Sequence, residues 1–368
     1  MSAADGRAGG GAPAGAEERA DGVALLRAEI AEQPRVWRAL ADRGDELAAL
    51  AARLTDGAPS LVRIAGHGTS DHAAIYASYV LRMTLGWTVT RDSISLPLYY
   101  GASAARPGEL AIAISQSGET PDVVAWLRAA RADGATTLAL TNDGSSSLAA
   151  AADHVLALDA GVERSVAATK TYTGTLAAFA LLGGHGAGSG AETGAALRAA
   201  ADAAEAALPE LAAAVEPVAA ELVDAQRMYL SARGLELATA YEVALKLTEV
   251  SYLGAKAMSA TSMAHGPVAA LDETLPLWLV AAADATLPAV QEAARRALAA
   301  GAPVIASGAA AGELDGATYL LPAPRAQEPL LSPLLSVLPG QLFAVALALA
   351  KGLDPGAPRN IRKVTSAA

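Results

Sequence analysis

The chain has 368 residues, 53% of them hydrophobic, and a formal net charge of −11, which is enough apolar material for two ordinary domains. We see no run of Lys or Arg in this acidic chain, so we expect no nucleic-acid partner and no binding to anionic membranes. The absence of cysteine excludes disulfides and thiolate catalysis, and it is compatible with a cytoplasmic location.

Residues 1–20 are small and polar and contain no apolar core for a signal peptide, so they predict a disordered tail. No stretch reaches about 18 consecutive apolar residues, and we therefore expect no membrane span. His67 has no partner at metal-ligand spacing, so we expect no metal, and no motif calls for a cofactor.

Strands and helices alternate along the first half of the chain. The patterns predict helices at 21–55, 72–85 and 171–182, strands at 61–65, 88–91, 110–114, 137–140 and 154–157, and a loop at 97–101. This alternation predicts an α/β fold with a doubly wound parallel sheet flanked by helices.

A cluster of hydroxyls lies between the strand predicted at 110–114 and the helix predicted to begin at Pro121. Ser115, Ser117 and Thr120 gather there, and Gly118 lets the backbone approach a ligand closely. A helix N-terminus offers free N–H groups and partial positive charge, which suit a phosphate. The alternative is a plain capping turn, because Ser-x-x-Thr/Glu patterns cap many helices.

The second half repeats the organisation of the first. Gly68 and Gly234 match at an offset of 166, and Pro121 and Pro288 at an offset of 167. Ala282-Ala283-Asp284 stands opposite the serines, without hydroxyls and with a charge that repels phosphate, so a phosphate site belongs to the first copy. We predict a first module over 21–190, a linker helix and second module over 191–340, and a C-terminal helix and tail over 341–368.

Three more segments of the chain carry reactive groups. Glu242, Lys246 and Glu249 share one face of a helix that is apolar elsewhere, which indicates a buried, functional stripe. The alternative is an exposed salt-bridged edge. His265, before Gly266-Pro267, is open to a structural or a catalytic interpretation, and Lys363 lies in a basic segment that resembles a solvated tail.

Together these stretches resemble the sugar isomerase (SIS) family, namely the isomerase half of glucosamine-6-phosphate synthase and free-standing glucosamine-6-phosphate deaminases. The resemblance covers about residues 22–368. Its motifs are Gly68-Thr69-Ser70, Ser115–Thr120, Val166–Lys170, Glu242–Glu249, His265-Gly266-Pro267 and Pro358–Lys363. It implies two tandem SIS modules and, in this family, a homodimer in which His265 reaches the partner's site.

The resemblance also implies the roles of individual residues. Ser70, Ser115, Gln116, Ser117 and Thr120 would hold the sugar phosphate, while Gly68, Thr69, Val166 and Ala168 would line the sugar. Glu249 would move a proton between C1 and C2, with Lys246 beside it. His265 would open the sugar ring, and Lys363 would form an imine with the open-chain keto sugar.

The implied activity is conversion of glucosamine 6-phosphate to fructose 6-phosphate and ammonia. An ammonia-dependent synthase, a fructosamine-phosphate deglycase and a non-catalytic sugar-phosphate sensor are the alternatives. His67, Ser262 and Arg362 depart from the synthase pattern and leave the identity of the sugar open. The chain contains no cysteine to serve as a glutaminase nucleophile, so glutamine would not be its nitrogen source by that route.

Overall fold

The computed structural model describes residues 16–361 and residue 363, and the side chains from residue 22 onward. The predicted tail at 1–20 falls mostly outside this range, as does Arg362. The first of two five-stranded sheets contains β1 (Val62–Ala65), β2 (Val89–Arg91), β3 (Leu110–Ile114), β4 (Thr136–Thr141) and β5 (His154–Ala157). Its order is β2-β1-β3-β4-β5, and every strand pair is parallel.

The second sheet has the same topology as the first. It contains β6 (Arg227–Ala232), β7 (Gly254–Ser259), β8 (Leu277–Val280), β9 (Val304–Gly308) and β10 (Tyr319–Pro322). Its order is β7-β6-β8-β9-β10, again with parallel neighbours throughout. The shared strand order confirms the α/β fold of two doubly wound modules that the offsets of 166 and 167 predict.

Helices surround both sheets, as parallel strands require for their crossovers. Around the first sheet lie α1 (Ala16–Ala31), α2 (Gln33–Ala41), α3 (Gly44–Thr55), α4 (Thr69–Leu85), α5 (Ser95–Tyr100), α6 (Pro121–Ala132), α7 (Ser147–Ala151) and α8 (Lys170–Gly186). The connection and the second module add α9 (Gly190–Glu221), α10 (Glu236–Ser251), α11 (Ala260–Ala264), α12 (Leu287–Ala299), α13 (Ser332–Ser336) and α14 (Leu338–Ala350).

The helical pattern predicted over 21–55 is confirmed, as three helices separated by turns near Glu32 and Asp42. Two other local predictions are wrong. The loop predicted at 97–101 is mostly α5, because Pro97 lies in its first turn, where no helical N–H is needed. The glycines at 183–186 continue α8 instead of ending it. Glycine is needed there for close packing against α4, because a Cβ on Gly183 would lie 2.6 Å from Thr84 Oγ1.

The largest hydrophobic core contains residues of both modules. It includes Trp37, Tyr76 and Phe179 from the first module and Leu247 and Phe343 from the second, all essentially buried. In this core α4 packs against α10, and α14 packs against α9 and α10. The start of α4 is therefore held beside a helix of the other module.

Among the described residues, the helical run Pro329–Ala350 is long and apolar enough to cross a membrane, with a mean hydropathy of 1.8. It is, however, 89% buried inside the fold. Its apolar character is accounted for by packing in the shared core, as in the central helix of many globular proteins.

We predict that Gly340→Ala destabilises the protein by about 1–3 kcal/mol, because overpacking a tight core costs this much. A Cβ on Gly340 of α14 would lie 2.2 Å from Val243 Cγ2 of α10. Chemical denaturation measures the change. Gly312→Ala is the matched control, since a Cβ there meets nothing within 4 Å. Equal stability of the two variants would contradict the proposed tight contact of α10 with α14.

Candidate active site

A cleft of about 450 Å³ opens at the carboxyl ends of β1 and β3. The strand order reverses between these two neighbouring strands, which is where doubly wound folds bind ligands. Both the turn after β1 and the turn after β3 lead directly into helices, α4 and α6. The cleft thus lies between two helix N-termini, an arrangement suited to an anion.

Most of the residues expected in the site line this one cleft. They are Gly68, Thr69, Ser70, Ser115, Gln116, Ser117, Thr120, Val166, Ala168, Glu249 and Lys363. Lys246 lies directly beneath Glu249, whereas His265 is exposed at the end of α11 and does not line this cleft. Residues separated by almost 300 positions in sequence are therefore brought together.

The hydroxyls of the turn after β3 hold the turn in shape. Ser115 Oγ lies 3.0 Å from Thr120 Oγ1 and accepts a hydrogen bond from the Gly118 N–H. Ser117 Oγ accepts from the Glu119 N–H at 3.2 Å. Within the described structure Thr120 makes no side-chain cap to α6, so simple capping does not account for this hydroxyl.

Gly118 is required by the geometry of this turn. Its φ is +67°, and a Cβ there would lie 2.1 Å from Ser146 Oγ and 2.7 Å from Thr141 Oγ1. A side chain would thus be strained and would also push the turn away from the neighbouring strand end. The glycine keeps the hydroxyls against the sheet edge.

The charged stripe of α10 is buried, and the exposed-edge interpretation is wrong. The Glu242 side chain is 0% exposed and accepts hydrogen bonds from Thr69 Oγ1 at 3.1 Å, and its other oxygen lies 2.8 Å from His72 Nδ1. Lys246 Nζ lies 3.3 Å from Glu242 and 2.6 Å from Glu249. The stripe therefore runs from a buried carboxylate, through an ammonium, to a carboxylate that is 22% exposed in the cleft.

Lys246 remains cationic in this setting. Burial by itself would lower the pKa of Lys246, but the carboxylates of Glu242 and Glu249 outweigh it and raise that pKa above its ordinary value. A lysine with a raised pKa is a poor base. Its chemistry here is to hold the carboxylate of Glu249 in place and to stabilise its charge.

Glu163 is a residue of the site that sequence reasoning missed. Its side chain is 0% exposed, and Oε2 accepts a hydrogen bond from Lys363 Nζ at 3.0 Å. Burial would raise the pKa of Glu163, but the Lys363 ammonium and donors on Thr171 and Thr169 outweigh it and lower the pKa below its ordinary value. The sequence pointed only weakly to a role for Glu163, a single Glu three residues before the Val166 motif. Its partner Lys363 lies 200 positions further along the chain.

His67 and Asp122 form a second pair at the cleft. His67 Nε2 lies 2.6 Å from Asp122 Oδ2, and both residues line the cleft. The pair joins the turn before α4 to the first turn of α6. The sequence identified His67 as a departure from the family pattern, but it gave no indication that Asp122 would be its partner.

The equivalent position in the second module lacks the hydroxyl turn. Ala282, Ala283 and Asp284 lie after β8, and Glu236 stands where an offset of 166 puts the counterpart of Ser70. Burial raises the pKa of Glu236, against hydrogen bonds from Ser332, Thr239 and Ser336 that lower it. The pocket beside Asp284 is also lined by Arg325, so the two modules differ here in their hydroxyls.

We expect Lys246→Met to cost about 3–5 kcal/mol of stability, because it leaves the buried Glu242 charge without its cation. The double variant Lys246→Met/Glu242→Gln removes that charge as well and should recover a large part of the loss. Urea unfolding of both variants measures this difference. If the single and double variants were equally unstable, or the single variant matched the parent, Glu242 and Lys246 would not be coupled as described.

The chain is similar in sequence and in fold to known proteins. The model of the SIS domain matches residues 61–183 and 221–351. The chain is 36% identical over 364 residues to the isomerizing glutamine–fructose-6-phosphate aminotransferase of Gloeobacter violaceus, covering 91% of this chain and 57% of that protein. It thus spans about half the length of the curated relatives it matches.

Two solved structures illustrate the likeness of the fold. A Silicibacter pomeroyi protein assigned as a phosphosugar isomerase has a TM-score of 0.79 at 34% identity, over 90% of this chain and 99% of that one. A glucosamine-6-phosphate deaminase from Thermotoga maritima has a TM-score of 0.72 over 89% of this chain and 98% of that one, and its 18% identity shows the fold alone. The segments matched by the domain model cover more than half of the chain, which therefore belongs to the SIS domain family.

Proposed function

We propose that the protein is an aminosugar-phosphate deaminase and aldose–ketose isomerase that converts glucosamine 6-phosphate to fructose 6-phosphate and ammonia. The observation that supports this best is that Glu249 and Lys363 line the same cleft as the hydroxyls of Ser115, Ser117 and Thr120. A phosphate site, an acid–base carboxylate and an amine are the groups that this reaction needs.

In the proposed reaction the phosphate is held by Ser70, Gln116 and the hydroxyl turn. Glu249 takes the proton from C2 of the open-chain sugar and returns it to C1, which converts the C2 amine to an imine. Lys363 then attacks C2 and displaces ammonia, and water releases fructose 6-phosphate from the lysine imine. Lys246, whose Nζ lies 2.6 Å from Glu249, orients the Glu249 side chain for this proton transfer.

We infer that a second copy of the chain completes the site. Ring opening needs an acid–base group, and His265 is exposed on α11, away from the cleft of its own chain. A homodimer in which each His265 reaches the partner's cleft supplies that group. The proposed location is the cytoplasm, where phosphorylated sugars are metabolised.

Three other activities are compatible with the cleft. An ammonia-dependent synthase runs the same steps in reverse, and a fructosamine-phosphate deglycase uses the same groups on another substrate. A non-catalytic sensor needs the hydroxyl turn but neither Glu249 nor Lys363. Because both line the cleft and Glu249 bonds to the cationic Lys246, we favour an enzyme.

The test of the proposed function is the release of ammonia from glucosamine 6-phosphate, with fructose 6-phosphate measured in parallel. We expect equal amounts of the two products. Glu249→Gln should lower turnover by at least about 100-fold, the scale of general acid–base catalysis, and leave sugar-phosphate binding nearly unchanged. Full activity of Glu249→Gln would show that the acid–base assignment is wrong, and tight binding without any product would favour a sensor.

Substituting both Ser115 and Ser117 by Ala should weaken fructose 6-phosphate binding by about 100-fold to 10,000-fold, from the loss of two hydrogen bonds to a charged group. Calorimetric titration measures this affinity. Ser60→Ala is the control, since Ser60 is an exposed serine just before β1, at the opposite end of the same sheet. Unchanged affinity in the double variant would show that the phosphate does not bind at this turn.

Mixing two inactive variants tests the shared site. In random dimers of His265→Ala and Glu249→Gln chains, the mixed dimers contain one site with both groups if His265 acts across the interface. About a quarter of the parent activity should then return after subunit exchange at equal amounts. No recovery, in dimers shown by mass to have exchanged, would place His265 outside the partner's site.

A further inference from the structure

The carboxylate of Glu163 is bonded on every accessible side. Oε1 accepts the backbone N–H groups of Thr169 and Thr171, at 2.9 Å and 3.2 Å. Oε2 accepts the Thr171 hydroxyl at 2.6 Å and the Lys363 ammonium at 3.0 Å. Only the ammonium carries charge among these donors, so the anion of Glu163 depends on Lys363 for charge compensation.

The segment that carries Glu163 is anchored independently. Glu29 of α1 accepts hydrogen bonds from the backbone N–H groups of Arg164 and Ser165, the two residues that follow Glu163. Lys170, buried at the start of α8, bonds to Glu32 at 2.6 Å and to the Val162 carbonyl. Glu163 is thus fixed, while its partner Lys363 is 23% exposed and faces the cleft.

We propose that Glu163 is a positioning residue that acts as the counter-ion of Lys363 both as a free ammonium and as a protonated imine of the keto sugar. This inference rests on the proposed function. In the net step the ammonium of Lys363 and the C2 ketone give a protonated imine and one water, with no net change of charge or loss of a proton. The cation that Glu163 requires is therefore present before and after the step.

This pairing has a chemical effect on the sugar. For attack, Lys363 Nζ passes one proton to Glu163 Oε2, 3.0 Å away. A second N–H proton moves to the former ketone oxygen as the carbinolamine forms, and the proton held by Glu163 then goes to that hydroxyl, which leaves as water and gives the protonated imine. The carboxylate then keeps the imine protonated, because a neutral imine would leave a buried charge unpaired. A protonated imine at C2 is more electrophilic than a neutral one, which favours the attack of water that releases fructose 6-phosphate in the last step of the proposed reaction.

Reduction of the imine tests the proposal directly. The full-length protein is incubated with fructose 6-phosphate and cyanoborohydride across a range of pH, and the adduct on Lys363 is measured by mass spectrometry. Glu163→Gln should move the alkaline midpoint of trapping to lower pH by about 1–3 units, as expected for loss of an opposite charge. Glu163→Asp keeps the charge and should restore the midpoint.

Two further variants separate this role from a structural one. Glu29→Gln removes a carboxylate that holds the same segment without contacting Lys363, and it should leave the midpoint in place. Thr171→Val removes one hydrogen bond from Glu163 and should move the midpoint slightly to higher pH, because the carboxylate becomes a stronger counter-ion. The Val variant also provides a test if Glu163→Gln fails to fold.

The outcomes distinguish this inference from the proposed function. An unmoved midpoint in Glu163→Gln, or the same shift in Glu29→Gln, overturns the counter-ion role. Product formation by the parent protein without any adduct on Lys363 also overturns it and leaves the activity standing. Absence of both binding and turnover with sugar phosphates would instead refute the proposed function.

Discussion

The structure depends on one contact between the modules, the packing of α4 against α10. At this contact Thr69 and His72 of the first module bond to Glu242 of the second. Hydrogen bonds to a buried carboxylate are directional and costly to break, so they fix the two helices in register. Because Glu249 lies two turns further along α10, the same register sets Glu249 above the cleft of the other module.

The buried charges follow a simple rule of alternation. Glu242, Lys246 and Glu249 alternate in sign along one helix face, and Glu163 and Lys363 form a second pair across the cleft. Buried ion pairs often add little to stability, since desolvation offsets the attraction. Here the ion pairs select one arrangement of the side chains, in which each charge is compensated. In that arrangement Glu249 and Lys363 both line the cleft.

The sequence predicted the parts of the fold that local patterns control. The strand at Leu110–Ile114 and the strand at His154–Ala157 are correct to the residue. The first is a continuous apolar run, the pattern that marks a fully buried strand. The repeat, the hydroxyl turn and the stripe of α10 were also visible. The glycines at 183–186 continue a helix that the sequence pattern ends at 182, because close helix packing and loop formation both select glycine. Glu163 and Asp122 were missed because their partners are distant in sequence, and only the folded chain brings them together.

The difference between the two modules has a structural consequence. The second module lacks the hydroxyl turn of the first, and its α10 packs against the start of α4 beside the cleft of the first module. The lining of that cleft includes Ser115 and Ser117 of the first module and Glu249 of the second. Neither module alone could form this cleft, so each depends on the other for the shape of the same space.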